Sequence, residues 1–157
     1  MTLYLQLILL FLSANTLETA INSTFYQALY SDSLITVDAA LEALEQKKSS
    51  TTINAYKGGL MMKRSDFLKS AAQKIEIFKK GHQLLELAIT KSPQNAEYRF
   101  IRLAIQEHAP KILKYNKNIE EDKSLIIKSF SSLDSKTRSY ILDYAQQSKI
   151  LTIQDFK

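Results

Sequence analysis

Apolar residues recur with helical spacing along most of the chain. Leu34, Val37, Leu41 and Leu44 follow steps of three and four residues, which is the spacing of one helix face. Similar stripes predict helices at 17–30, from Leu34 to Gln46–Lys48, at 52–63 and 66–91, from Asn95 towards Pro110, and from Asn118 and Asp134, with a last turn from Thr152 to Phe156. No segment alternates with period two for long, so the pattern predicts an all-α protein of about seven helices.

Polar residues that favour helix termini stand at the predicted boundaries. Candidate N-caps are Ser31-Asp32-Ser33, Ser65-Asp66, Asn95, Asn118 and Asp134. Glu121 follows Asn118 by three residues, which predicts an Asn-led variant of the capping box. Pro93 stands just past the fourth helix and predicts its end.

Short polar loops between consecutive helices predict antiparallel neighbours, and hence stacked helical hairpins. The chain of 157 residues suits one domain, which we place at 21–157. Gly58 and Gly59 fall inside the predicted third helix, where each glycine costs about 1 kcal/mol relative to alanine. They predict either the close approach of another helix or a kink.

The N-terminus is strongly apolar from Leu3 to Leu12. This run is too short to span a bilayer but fits the apolar region of a secretory signal, with a cleavage zone between Ala14 and Ala20. We therefore expect 1–20 to be a signal peptide or N-terminal hydrophobic segment and the protein to be exported, periplasmic or secreted. Because Met1-Thr2 carries no basic side chain, an uncleaved inner-membrane anchor and a buried first helix remain alternatives.

Composition excludes several kinds of chemistry. The absence of cysteine rules out disulfides, thiolate metal sites, a cysteine nucleophile and a lipidated cysteine. His82 and His108 do not form a zinc-binding motif, and no serine lies in a nucleophile-elbow pattern. We therefore predict no catalytic residue, no metal and no cofactor, and a protein that is not an enzyme.

The net charge of +5 permits nucleic acid, anionic lipid or an acidic protein as partner. Basic residues are scattered rather than clustered on one element, which is not the footprint of nucleic-acid binding. We therefore expect no nucleic-acid partner, while peripheral membrane association stays open.

Arg99 and Arg102 lie three residues apart on one predicted helix face. Arginine is suited to two-pronged contact with a carboxylate or phosphate, so the pair could clamp an anion or a peptide carboxylate. The favoured alternative is an internal ion pair that locks the fifth helix to the sixth, with a partner drawn from Glu97, Glu120, Glu121 and Asp122.

Amphipathic side chains could complete a binding groove around these arginines. The candidates have apolar bodies or polar tips of the kind that line ligand sites. They are Tyr56, Tyr98 and Tyr115, with Gln106 and Asn118. Ordinary packing explains the tyrosines equally well and is favoured. The candidate groove comprises Tyr56, Arg99, Arg102, Gln106, Tyr115 and Asn118.

Two resemblances bear on the fold. Ala88, Ile89, Pro93 and Asn95, within the stretch 85–103, resemble the junction between two tetratricopeptide units, over about one repeat. The segments 55–59, 95–102 and 115–123 resemble a family of small, uncharacterised exported proteins from Bacteroidetes-type bacteria. That resemblance implies a tetratricopeptide-like helical domain over roughly 25–157 and no activity. Lys114 stands where the family pattern leads us to expect glycine, so this loop is expected to differ.

These features predict a non-enzymatic adaptor of the cell envelope that presents a groove of helical hairpins to a protein or peptide. The alternative is a periplasmic carrier that holds a small molecule or lipid between its helices.

Overall fold

The computed structural model describes residues 20–110 and 113–157. Its described part contains seven α-helices and no strand: α1 (20–29), α2 (Leu34–Glu45), α3 (Thr51–Ser65), α4 (Ala71–Lys91), α5 (Ala96–His108), α6 (Ile119–Ser129) and α7 (Ser135–Ala145). Short 3-10 helices span Phe130–Ser132 and Ile153–Phe156. The predicted all-α fold of stacked helices is confirmed. The predicted signal segment and the start of the first helix, at 1–19, lie outside the described residues.

Most helices begin at a polar cap. The side chains of Ser33, Asn95 and Asp134 accept hydrogen bonds from the first turns of α2, α5 and α7, as predicted. The predicted capping box of α6 is wrong. Asn118 occupies the N-cap position but makes no side-chain cap bond. Its backbone is not extended, and its amide donates to the Glu121 carboxylate, which also pairs with Arg99.

The predicted start of the fourth helix is also wrong, by five residues. α3 runs on to Ser65, and the chain then leaves it through successive turns in which Asp66, Phe67 and Leu68 donate backbone hydrogen bonds to carbonyls three residues earlier. Asp66 therefore ends α3 rather than capping α4. The cap of α4 is Ser70, whose hydroxyl accepts from the Gln73 amide.

The tightest packing joins α3 to α4, backbone against backbone. A β-carbon on Gly58 would lie 2.7 Å from the carbonyl oxygen of Gly81, and one on Gly81 would lie 2.6 Å from the carbonyl oxygen of Gly58. Close approach of another helix is thus the reason for Gly58. Gly59 faces α5 instead, where an added β-carbon would meet the Ile101 side chain at 2.8 Å.

The centre of the stack is α5, which packs against α3, α4 and α6. Every residue from Tyr98 to Gln106 is buried. Aromatic rings join α1 to α3 and α7, since Phe25 stacks on Tyr56 and Tyr26 on Tyr140, each with 4.2 Å between ring centroids. In the described part of the chain, no helix combines the length and apolar character needed to cross a membrane.

We predict that Gly58→Ala lowers the free energy of unfolding by about 1–3 kcal/mol, because the new methyl group must push apart two backbones. Gly59→Ala is the matched control. It meets the Ile101 side chain rather than a second backbone, so we expect a smaller loss. Urea denaturation of both variants measures the difference. If Gly58→Ala instead stabilised the protein by the roughly 1 kcal/mol that alanine gains in an open helix, the close contact would be refuted.

Candidate functional site

Two buried arginines of α5 share one buried carboxylate of α6. Asp122 is fully buried and accepts from Arg102 Nε at 2.7 Å, from Arg102 Nη2 at 2.7 Å and from Arg99 Nη1 at 3.0 Å. The Arg102–Asp122 contact is two-pronged, the geometry in which arginine binds carboxylate most strongly. This geometry shows the favoured alternative, an internal ion pair between the fifth and sixth helices.

Further partners extend the cluster to neighbouring elements. Arg102 Nη1 donates to Glu86 of α4 at 2.8 Å, and the Tyr115 hydroxyl donates to the same carboxylate at 2.8 Å. Arg99 also binds Glu121 at 3.0 Å and the Pro93 carbonyl at 3.1 Å. Burial favours the neutral form of Arg102, but Asp122 and Glu86 outweigh burial and raise its pKa, so the guanidinium stays charged.

Lys114, the residue before Tyr115, has an unusual backbone conformation. Its φ of 49° lies in the left-handed region, which glycine adopts more easily than residues with a side chain. The position where the family resemblance calls for glycine therefore has a backbone that suits glycine, although lysine occupies it here.

The remaining groove candidates lie in other surroundings. The hydroxyl of Tyr56 donates to Glu97 at 2.7 Å, and Asn22 and Tyr26 donate to the same carboxylate oxygen. Burial, with the nearby Glu97 charge, raises the pKa of Tyr56 well above its usual range. No hydrogen bond between described residues joins Tyr56 to the two arginines.

Gln106 and Asn118 complete the predicted set. The amide of Gln106 is buried, and neither its nitrogen nor its oxygen has a hydrogen-bond partner among the described residues. Asn118 reaches only Glu121, at 3.4 Å. The structure thus brings Arg99, Arg102 and Tyr115 together inside the protein, and the six side chains do not line one open groove.

A cleft of about 460 Å³ opens elsewhere, at one end of the stack. Alternate helices of a hairpin stack run in the same direction, so the C-terminal ends of α1, α3, α5 and α7 all meet there. Its walls are Leu29, Tyr30 and Asp32; Met62, Lys63 and Asp66; Phe78; Ala104, Ile105, His108 and Ala109; and Tyr144, Gln147 and Ser148. Apolar and aromatic side chains form much of this lining, with charged groups among them.

Asp66 is the most unusual charged group of the cleft. No hydrogen bond from a described residue reaches its carboxylate. Although Asp66 is a solvent-exposed residue, partial desolvation of its carboxylate raises its pKa, and the positive charges of Lys63, Lys74 and His108 offset this only in part. Its position at the C-cap of α3 is also unfavourable for a negative charge, because the helix dipole is negative at that end.

The other polar groups of the cleft are partly engaged. Lys63 lies 3.9 Å from Asp32, a long and exposed contact. The Nδ1 of His108 lies 3.0 Å from the Ala104 carbonyl, which can only accept, so this nitrogen carries the proton. Its Nε2 is therefore available to a ligand.

One wall of the cleft is held in place by Glu107. Its carboxylate accepts from the Tyr144 hydroxyl, the Ser148 hydroxyl and the Lys149 amide, each at 2.6 Å. Burial alone would raise the pKa of Glu107, but these three hydrogen bonds outweigh it and lower the pKa. Glu107 thereby fixes the end of α7 against α5.

Sequence reasoning did not single out this cleft. It treated Ser65-Asp66 as a cap for the following helix and considered His108 as a possible zinc ligand. The signal that could have located the cleft is the order of helices, since alternate helices of a hairpin stack must end on the same side. Across 20–110 and 113–157, no three potential metal ligands of the His, Asp or Glu type come together.

No family model matches the chain, and neither a curated protein nor a solved structure shows significant similarity to it. The resemblance to exported Bacteroidetes-type proteins therefore stays a prediction. Any functional argument must come from the residues themselves.

We predict that Asp122→Asn lowers the free energy of unfolding by about 3–5 kcal/mol, because it leaves two buried guanidinium groups without their shared counter-charge. Glu121→Gln is the control: Glu121 binds the same Arg99, but its side chain is 61% exposed, and such pairs contribute about 1 kcal/mol or less. Denaturant unfolding at neutral pH compares the two. Equal losses would contradict the assignment of Asp122 as the centre of the cluster.

We predict that Glu107→Gln destabilises the protein by about 1–3 kcal/mol at neutral pH, because three hydrogen bonds to a charged acceptor are weakened. Since the folded-state pKa is lowered, this stability is present above the unfolded-state pKa of about 4.3 and is lost as pH falls through the folded-state value. Thermal unfolding across acidic pH should show the two proteins converging. Glu42→Gln removes an exposed carboxylate of α2 and is the control, with little expected change in stability at neutral pH.

Proposed function

We propose that the protein is a non-enzymatic binding protein of the cell envelope and that a protein or peptide partner occupies the cleft between the C-terminal ends of α1, α3, α5 and α7. One observation carries this proposal: the cleft combines an apolar lining with two solvent-exposed polar side chains that a partner could contact, Asp66 and His108. Its volume of about 460 Å³ falls in the range of roughly 300–1,000 Å³ typical of binding pockets.

The groove predicted around Arg99 and Arg102 is a weaker candidate for this function. Both guanidinium groups already bind carboxylates of the same chain. An incoming anion would have to displace Asp122 or Glu86, and exposing a buried, paired charge costs several kcal/mol. Binding at the cleft requires no such displacement.

A periplasmic small-molecule carrier is the second candidate. The volume of the cleft favours it, because about 460 Å³ can hold a compact ligand, whereas many protein partners bind across flatter surfaces. Placement in the cell envelope, in either case, is supported by the signal-like run from Leu3 to Leu12.

Filling the cleft tests both candidates. Ala109 lines the cleft, so Ala109→Trp should occupy it, while Ala72→Trp adds the same side chain at an exposed site on α4. We expect wild type and Ala72→Trp to recover one stoichiometric partner from envelope extract, and Ala109→Trp to lose it. Native mass spectrometry of the same preparations favours the carrier if a small co-purifying mass disappears only in Ala109→Trp. The proposal would be contradicted if Ala109→Trp recovered the partner as well as wild type does. It would also be contradicted if folded wild type recovered neither a partner nor a ligand.

A further inference from the structure

The start of α4 is exposed on all sides. Every residue from Ala71 to Glu76 is exposed, although the same helix packs backbone against backbone on α3 further along, at Gly81. Ile75 belongs to this exposed stretch, and 45% of its surface is open to solvent. Since isoleucine is among the residues that are most often fully buried, the start of α4 presents an unusual apolar side chain at the surface.

Five exposed lysines lie in the two segments that meet at this end of α4. Three belong to the approach to α4 and its first turns, and two to the loop between α5 and α6. They are Lys69, Lys74 and Lys79, with Lys114 and Lys117. We call these five residues the basic face. In the sequence they are scattered, and only the fold brings the two segments together.

Tyr115 holds the loop against α4. Its ring packs edge-on against Phe78 and His82, with 5.5 and 4.8 Å between ring centroids. Ile75 and Lys79 precede His82 by seven and three residues, so all three lie on the same face of α4. The loop lysines on either side of Tyr115 therefore lie next to the part of α4 that carries Ile75.

The basic face has an excess of positive charge. In the described part of the chain, none of its five lysines forms an ion pair. Within 66–80 and 113–120, Glu76 is paired with Lys80 at 2.6 Å. Two exposed carboxylates remain in these segments, Asp66 and Glu120, and they balance only part of the charge of five lysines.

We propose that the basic face binds the surface of a membrane that contains anionic phospholipids. Its lysines contact the lipid phosphates, and Ile75 enters the boundary between headgroups and acyl chains. Clusters of roughly four to eight basic residues on or beside an amphipathic helix are typical of such binding, and apolar side chains among them add affinity.

The composition of the face favours lipid over nucleic acid. The face contains lysine and no arginine, whereas arginine predominates in nucleic-acid recognition. An exposed isoleucine among the lysines contributes to binding at a lipid boundary but not to contact with a phosphate backbone. This inference does not depend on a ligand in the cleft.

A tryptophan reporter tests the position of the contact in the full-length chain. The protein contains no tryptophan, so the emission of Ile75→Trp reports on this site alone. We expect it to shift to shorter wavelengths with vesicles of phosphatidylcholine and phosphatidylglycerol in equal parts. Leu87→Trp is the matched control, because Leu87 is 50% exposed on the same helix but nearer its other end, and its emission should not shift.

Vesicle sedimentation at low ionic strength tests the lysines. Lys74→Gln/Lys79→Gln should bind the same vesicles about tenfold more weakly, since each lysine near an anionic surface contributes about fivefold. The control is Lys91→Gln/Lys128→Gln, which removes two exposed lysines from the last turns of α4 and α6, at the opposite end of the stack. Residues 1–17 carry no charged side chain and are common to all variants.

Three results would overturn the proposal. The first is equally tight binding to vesicles of phosphatidylcholine alone, and the second is equal binding by the two double lysine variants. The third is an unshifted emission of Ile75→Trp on anionic vesicles. Double-stranded DNA is the comparison polyanion: if it bound as tightly as the anionic vesicles at equal phosphate concentration, the face would be a general polyanion site and the membrane assignment would fail.

Discussion

The fold depends on a helix that is buried on almost every side and yet carries two arginines. From Tyr98 to Gln106, α5 has no exposed residue, so the charges of Arg99 and Arg102 must be compensated inside the protein. Asp122 supplies the shared carboxylate and ties α6 to α5, while Glu86 ties α4 to the same cluster. Tyr115 then joins through Glu86, and the loop before α6 is positioned with it.

This constraint also decides where binding can occur. The arginine and carboxylate side chains that hold α4, α5 and α6 together are already paired with one another and are unavailable to a partner, although such residues often form ligand sites. The cleft differs in this respect. In a hairpin stack alternate helices end on the same side, so several helix ends meet there, and Asp66 has no hydrogen-bond donor among the described residues. The charges of Arg99, Arg102 and Asp122 are thus paired within the protein, whereas Asp66 lies in a cleft that a ligand could fill.

Sequence patterns predicted the helices well because hydrophobic spacing and caps are local. The stripe Leu34, Val37, Leu41 and Leu44 and the caps Asn95 and Asp134 led to α2, α5 and α7. The start of α4 was missed because Ser65-Asp66 and Ser70 are both plausible caps, and only tertiary packing distinguishes them. Nor could spacing reveal that Arg99 and Arg102 share Asp122, or that Asp66 and His108 face one cleft, because these contacts join distant segments.

The buried state of the two arginines is the central claim, and the exchange of their side-chain protons with solvent tests it most directly. In nitrogen-labelled protein at neutral pH, nuclear magnetic resonance should show slowly exchanging Nε–H signals for Arg102, which donates to Asp122 at 2.7 Å, and for Arg99, which donates to the Pro93 carbonyl at 3.1 Å. The more exposed Arg138 should exchange much faster. Exchange at Arg102 as fast as at Arg138 would contradict the account.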